Sequence, residues 1–141
     1  MEKAELLEEI RCELGLLLQD VQDKKEWYDT VIHLLKSRIP NYRSIFVYLT
    51  DETSFNYYTH LSDGKEIYQE KIYFGDEMLS IVAARGEISC DFIPGGQKIY
   101  IPFYRGHHLM GEMIIMTSQF VDYDELKFIK NIQTMLSTAP F

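Results

Sequence analysis

The 141-residue chain contains no apolar run of 18 or more residues and no basic leader followed by an apolar stretch, so neither a membrane span nor a secretory signal is expected. A cytoplasmic location follows as the expectation. Positive charge is also scarce: 14 Lys and Arg stand against 22 Asp and Glu, and the net charge of −8 repels a phosphate backbone and an anionic membrane surface. Nucleic acid and membrane are therefore not expected partners. Only two cysteines occur, Cys12 and Cys90, too few for a disulfide framework and not clustered as zinc ligands are, which leaves two free thiols.

Familiar catalytic templates are missing as well. There is no G-x-S-x-G, H-E-x-x-H, P-loop or dinucleotide fingerprint. Gly95-Gly96 falls between strands and does not open a helix, so it is no phosphate cradle. His107 and His108 are adjacent, and adjacent residues on a strand point to opposite faces; with His33 and His60 on other elements, no metal site is expected. No cofactor is specified.

What the chain has in quantity is apolar and aromatic surface, 46% hydrophobic residues with ten Tyr and eight Phe. That suits one domain with a real core, and the aromatics either fill the core or line a pocket. Leu7, Ile10, Leu14, Leu17, Val21, Tyr28, Val31 and Leu35 recur at heptad-like spacing, which predicts two helices, or one kinked helix, over 3–21 and 24–38, the second part opened by an Asp23/Glu26 capping box and ended by Pro40. A second capping box, Asp122 with Glu125, predicts a terminal helix over 123–137. Between them lie β-branched and aromatic runs at 44–50, 55–61, 68–74, 88–92, 98–104 and 108–116, separated by turn-rich segments. A short helix from Gly75-Asp76 through Ala84, with Gly86 past its end, interrupts the strands.

This order is an α+β pattern without βαβ alternation. The stretch 98–116, KIYIPFYRGHHLMGEMIIM, is a hairpin turning at Arg105-Gly106, with Pro102-Phe103, Gly111-Glu112 and Ile115 at fixed offsets before the terminal helix. In these motifs, and in the element order across 24–138 with Phe74-Gly75-Asp76 before the short helix, the chain resembles the GAF domain family, small sensory modules related to PAS. The resemblance implies a central antiparallel sheet of five to six strands, with the N- and C-terminal helices on one face and a short lid helix over a pocket on the other. It divides the chain into an N-terminal helical extension, 1–23, and a GAF-like domain, 24–141.

On this resemblance, Tyr58, Tyr73, Phe74, Met78, Leu79, Val82 and Tyr100 are the candidate ligand-binding residues, with Tyr48 a further one, and the ligand is a small molecule of unknown identity. Strand alternation puts Ile99, Ile101 and Phe103 on one face and Tyr100 and Pro102 on the other. Asp76 and Glu77 in the first turn of the short helix disfavour an anionic ligand there, so a neutral or zwitterionic metabolite is expected. The apolar stripe of the first helix, beyond what the domain needs to cover its sheet, predicts a homodimer.

The function expected is a non-enzymatic sensor or regulatory module that signals through its helices to a partner, a signalling protein among the candidates. One alternative is a ligand-free dimerisation or interaction protein of the same fold. Another is an enzyme like the free methionine sulfoxide reductases, stand-alone GAF proteins of this size. Their chemistry needs a thiolate with a resolving thiol nearby, whereas residues 75–79 carry no cysteine, the loop 91–97 is short, and Cys90 is the sole candidate nucleophile.

Overall fold

The computed structural model describes residues 2–65, 67–75 and 77–141. Four helices and six strands follow in the order α1 (Lys3–Leu18), α2 (Lys24–Arg38), β1 (Tyr42–Thr50), β2 (Ser54–Ser62), β3 (Lys71–Tyr73), α3 (Met78–Arg85), β4 (Ser89–Ile93), β5 (Gly96–Arg105), β6 (His108–Thr117) and α4 (Tyr123–Thr138). The strands form one sheet in the order β3-β2-β1-β6-β5-β4, every neighbouring pair antiparallel. This is the α+β architecture that the sequence implied.

The helix boundaries follow from capping chemistry. Asp23 accepts from the Glu26 amide at 2.8 Å and Asp122 from the Glu125 amide at 2.9 Å, each satisfying an orphan donor at the start of a helix. The return half of the capping box departs from expectation in both places. Glu26 accepts from the Gln22 amide, and Glu125 turns inward, where Tyr42 Oη donates to it at 2.8 Å and Lys3 pairs with it at 2.6 Å.

Strand alternation separates two cores. Ile45, Val47, Ile99, Ile101, Phe103, Met113 and Ile115 pack beneath α1, α2 and α4, while Phe46, Tyr48, Tyr100 and Ile114 face α3 with Phe55, Leu79 and Val82. Gly111 lets β1 come close: a Cβ there would lie 2.2 Å from the Tyr48 carbonyl oxygen.

Two expectations need correction. The third strand is three residues long rather than seven, because residues 67–69 leave the sheet edge and cross over the α3 face. The stripe on α1 is not spare: Leu7, Ile10 and Leu14 are buried in the same core as α2 and α4, and Arg38 ties the helix down through Glu9 and Glu13. The observation that called for a two-fold mate is thereby removed.

Candidate functional site

The α3 face of the sheet carries a cavity of about 210 Å³. Its floor is made by side chains at alternate positions on three adjacent strands: Phe46 and Tyr48 from β1, Ile114 and Met116 from β6, Lys98 and Tyr100 from β5. Glu77, Met78 and Leu79 at the start of α3 form one wall, and Ile67, Tyr68, Gln69 and Ile72 form the other.

The second wall is pinned by aromatics. Tyr68 stacks on Tyr57 with ring centroids 4.4 Å apart, and Tyr57 Oη lies 2.6 Å from His60 Nδ1, whose ring stacks on Phe46 at 4.9 Å. Tyr48 Oη donates to the Gln69 carbonyl at 2.9 Å. Burial pushes the Tyr48 and Tyr100 hydroxyls up to about 12, so both remain protonated at neutral pH. Lys98 Nζ sits 5.5 Å from the Tyr100 ring centroid, a cation on the face of the ring at the edge of the cavity.

Of the residues expected to bind a ligand, Met78, Leu79 and Tyr100 line this cavity, as does Tyr48. Val82 is fully buried on the sheet side of α3 but belongs to the packed core beside the cavity. Tyr58 stands on the opposite face, edge-on to Tyr28 of α2, because the irregular register at Val47/Tyr48 carries it to that side. Tyr73 is exposed on the edge strand, and Phe74 packs half-exposed on Phe55. Alternation fails for Tyr58 because it assumes an unbroken strand, whereas Tyr73 and Phe74, expected beside the short helix, lie at the sheet edge outside the cavity lining. Glu77 is the N-cap of α3 rather than part of its first turn, and Asp76 lies outside the described residues.

Sequence reasoning missed Glu112. It belongs to β6, opposite Tyr48 on β1 and Pro102 on β5, on the same face as Ile114 and Met116. The residue is completely buried, and neither carboxylate oxygen has a hydrogen-bond partner among the described residues. Desolvation alone pushes its carboxyl up to about 9, so the group is held neutral. A charged residue amid the apolar run 109–116, at a position alternation assigns to the α3 face, was the signal available.

The thiols lie elsewhere. Cys90 pairs across β4 and β5 with Ile99, which belongs to the helix-side core, so it sits on the face away from the cavity; desolvation and then the Glu125 carboxylate push its thiol up. Cys12 is exposed on α1. Among the described residues no cluster of His, Cys, Asp and Glu could hold a metal ion, and no helix is long and apolar enough to cross a membrane.

No protein-family model matches the chain, and no curated protein does. Solved structures do. A proposed GAF sensor protein from Burkholderia vietnamiensis superposes with a TM-score of 0.84 at 14% identity, covering 99% of this chain and 90% of that one. The GAF domain of a phosphoenolpyruvate-protein phosphotransferase from Coxiella burnetii gives 0.80 at 13% identity, with 98% and 94% covered. The free methionine-R-sulfoxide reductase from Neisseria meningitidis, in complex with its substrate, gives 0.77 at 15% identity, with 95% and 90% covered. At these identities the likeness concerns the fold, and the chain has the GAF fold.

The expectation that the chain is not an enzyme does not stand. Free methionine-R-sulfoxide reductases recur among the matching structures, so the same architecture serves catalysis, and the fold gives no ground for excluding it.

Proposed function

We propose that the chain is a small-molecule-binding sensor module of the GAF type, working in the cytoplasm, whose ligand occupies the cavity between the sheet and α3. The observation that carries this reading is the cavity itself: an aromatic floor, hydroxyls kept protonated by burial, and a wall in which loop residues 67–69, held by side-chain contacts, adjoin Ile72 of the edge strand. Its volume of about 210 Å³ lies below the ~300–1,000 Å³ typical of drug-sized ligands, which fits a small metabolite. The two exposed free thiols accord with a reducing compartment.

Occupancy has a route to the helices. Tyr104 Oη donates to the Ala83 carbonyl of α3 at 2.5 Å, the Tyr104 amide donates to Ser137 Oγ of α4 at 3.3 Å, and Gln133 Nε2 of α4 donates to the Pro102 carbonyl at 2.7 Å. A shift of α3 therefore loads β5 and, through it, the last turns of α4, the surface offered to a signalling partner.

The test is native mass spectrometry of the protein as purified, wild type beside Met116→Trp, which fills the cavity from its edge. A retained small molecule in the wild type that is lost in the folded variant supports the reading. Equal retention in both overturns it.

A further inference from the structure

A buried carboxyl with no partner is expensive. An ionised carboxylate offers about four acceptor sites, and leaving even one buried polar group unsatisfied costs roughly 1–3 kcal/mol. Glu112 leaves both oxygens unmatched at zero exposure, where a valine or leucine would fill the space at no such cost. The other unpartnered buried side-chain atoms among the described residues are single N–H donors, on Trp27 and Arg43.

The neighbours do not supply what is missing. Tyr48, opposite Glu112 on β1, gives its hydroxyl to the Gln69 carbonyl, and Tyr104 gives its own to the Ala83 carbonyl. Pro102, opposite on β5, has no side-chain donor. Lys98 is two same-face positions beyond Pro102 on β5, its ammonium over the Tyr100 ring. Both hydroxyls are thus committed, one to the cavity wall and one to α3.

We propose that Glu112 is the counter-ion of the cavity, and that the ligand is a small molecule with a compact cationic nitrogen, a primary ammonium or an amidinium, on a short apolar or aromatic body. The inference rests on the pocket reading above and adds the chemical class of the ligand. Ile114 of the cavity floor is the next residue on the same face of β6, about 7 Å along the strand, so Glu112 adjoins the lining sideways without forming part of it. The carboxyl is reached by turning its side chain toward Ile114 or by lifting Leu79 and Val82, which pack on this face from α3.

The surroundings favour this charge. An ammonium brings three donors and an amidinium a planar fork, either of which satisfies oxygens left unmatched among the described residues. The Phe46, Tyr48 and Tyr100 rings give the lining aromatic surface, and Tyr100 already carries one cation, the Lys98 ammonium, over its ring. A net charge of −8 raises the local concentration of cations around the whole molecule.

The experiment uses the full chain and matched probes of equal shape: n-butylammonium against 1-butanol, and 2-phenylethylammonium against 2-phenylethanol, titrated at neutral pH by calorimetry and amide chemical shifts. In the wild type the ammonium member of at least one pair should bind about tenfold tighter or more. In Glu112→Gln the alcohol should bind as before and the preference should vanish; Glu112→Met provides the same comparison should the glutamine variant fold poorly. Alcohols binding as tightly as ammonium ions in the wild type would overturn the counter-ion while leaving the pocket reading intact, and so would a preference that survives loss of the carboxyl. Binding of neither member of either pair overturns the pocket reading and this inference with it.

Discussion

Tyr104 clasps Ala83: its hydroxyl donates to the Ala83 carbonyl at 2.5 Å, the one side-chain hydrogen bond from the sheet to the body of α3 among the described residues. Removing it with Tyr104→Phe leaves the ring in place and frees the C-terminal half of α3, whose end is set by Gly86 in the left-handed region at φ 72°. The expected cost is about 1 kcal/mol, concentrated locally. Amide hydrogen exchange should therefore accelerate over residues 82–86 while β5 and β6 stay protected; uniform acceleration across the sheet would show that the bond serves global stability instead.

Glu112 makes stability depend on pH with a known sign. Its folded carboxyl titrates near 9 against an ordinary 4.5, so the folded state holds a proton that the unfolded state has released over that interval. The stabilising effect of that proton is complete below about pH 4.5 and is lost as pH rises through about 9, at roughly 1.4 kcal/mol per pH unit. Glu112→Gln, permanently neutral, should gain stability over the wild type, by little at pH 4.5 and by about 3 kcal/mol at pH 7 on that slope. Urea midpoints of the two proteins from pH 4.5 to 8 check this, and parallel curves would show that the carboxyl is solvated.

Gly111 is required by contact rather than by backbone angle. A Cβ there would sit 2.2 Å from the Tyr48 carbonyl oxygen and 3.0 Å from Phe103 Cζ, so Gly111→Ala must push β1 and β6 apart. Destabilisation of about 1–3 kcal/mol is expected from the overpacking. Thermal unfolding measures it, and an unchanged melting temperature would mean that the strands separate freely.

Cys90 is expected to play no part at the cavity, since it lies on the helix side of the sheet with a thiol pushed up by desolvation and by Glu125. It should react with iodoacetamide at pH 8 more slowly than free cysteine. Cys90→Ser should leave the affinity of whichever amine or alcohol probe binds unchanged, whereas a weakened affinity would place the thiol at the site.

Glu125 is capped from two sides in a buried setting, by Tyr42 Oη at 2.8 Å and Lys3 Nζ at 2.6 Å. Burial and the adjoining carboxylate push the Tyr42 hydroxyl well above its ordinary range, so it donates at every accessible pH. Tyr42→Phe removes a bond to a charged acceptor, worth about 1.5–3 kcal/mol, and should cost more than Lys3→Met, whose ammonium is half-exposed. Chemical denaturation of the two variants ranks them, and the reverse order would make the lysine the main partner.

Local chemistry was enough to specify the elements of this protein. Asp23 and Asp122 mark helix starts because a carboxylate oxygen two bonds from Cβ reaches the orphan amides three residues on, whatever the rest of the chain does. Alternation along 98–104 separated Ile99, Ile101 and Phe103 from Tyr100 for the same reason, the pleat being a property of any extended strand. The site was legible at Met78 and Leu79 from the short helix, at Tyr100 from alternation, and at Tyr48 as an aromatic on a predicted strand. Tertiary structure decided the rest: the register irregularity that turned Tyr58 to the helix side, the departure of residues 67–69 from the sheet edge to wall the cavity, and the burial of the α1 stripe against α2 and α4. Glu112 shows the physical reason. Whether a carboxylate in an apolar strand meets water, a partner or neither depends on side chains far apart in the chain, here Tyr48, Tyr104 and α3, and on where their hydroxyls have already been committed.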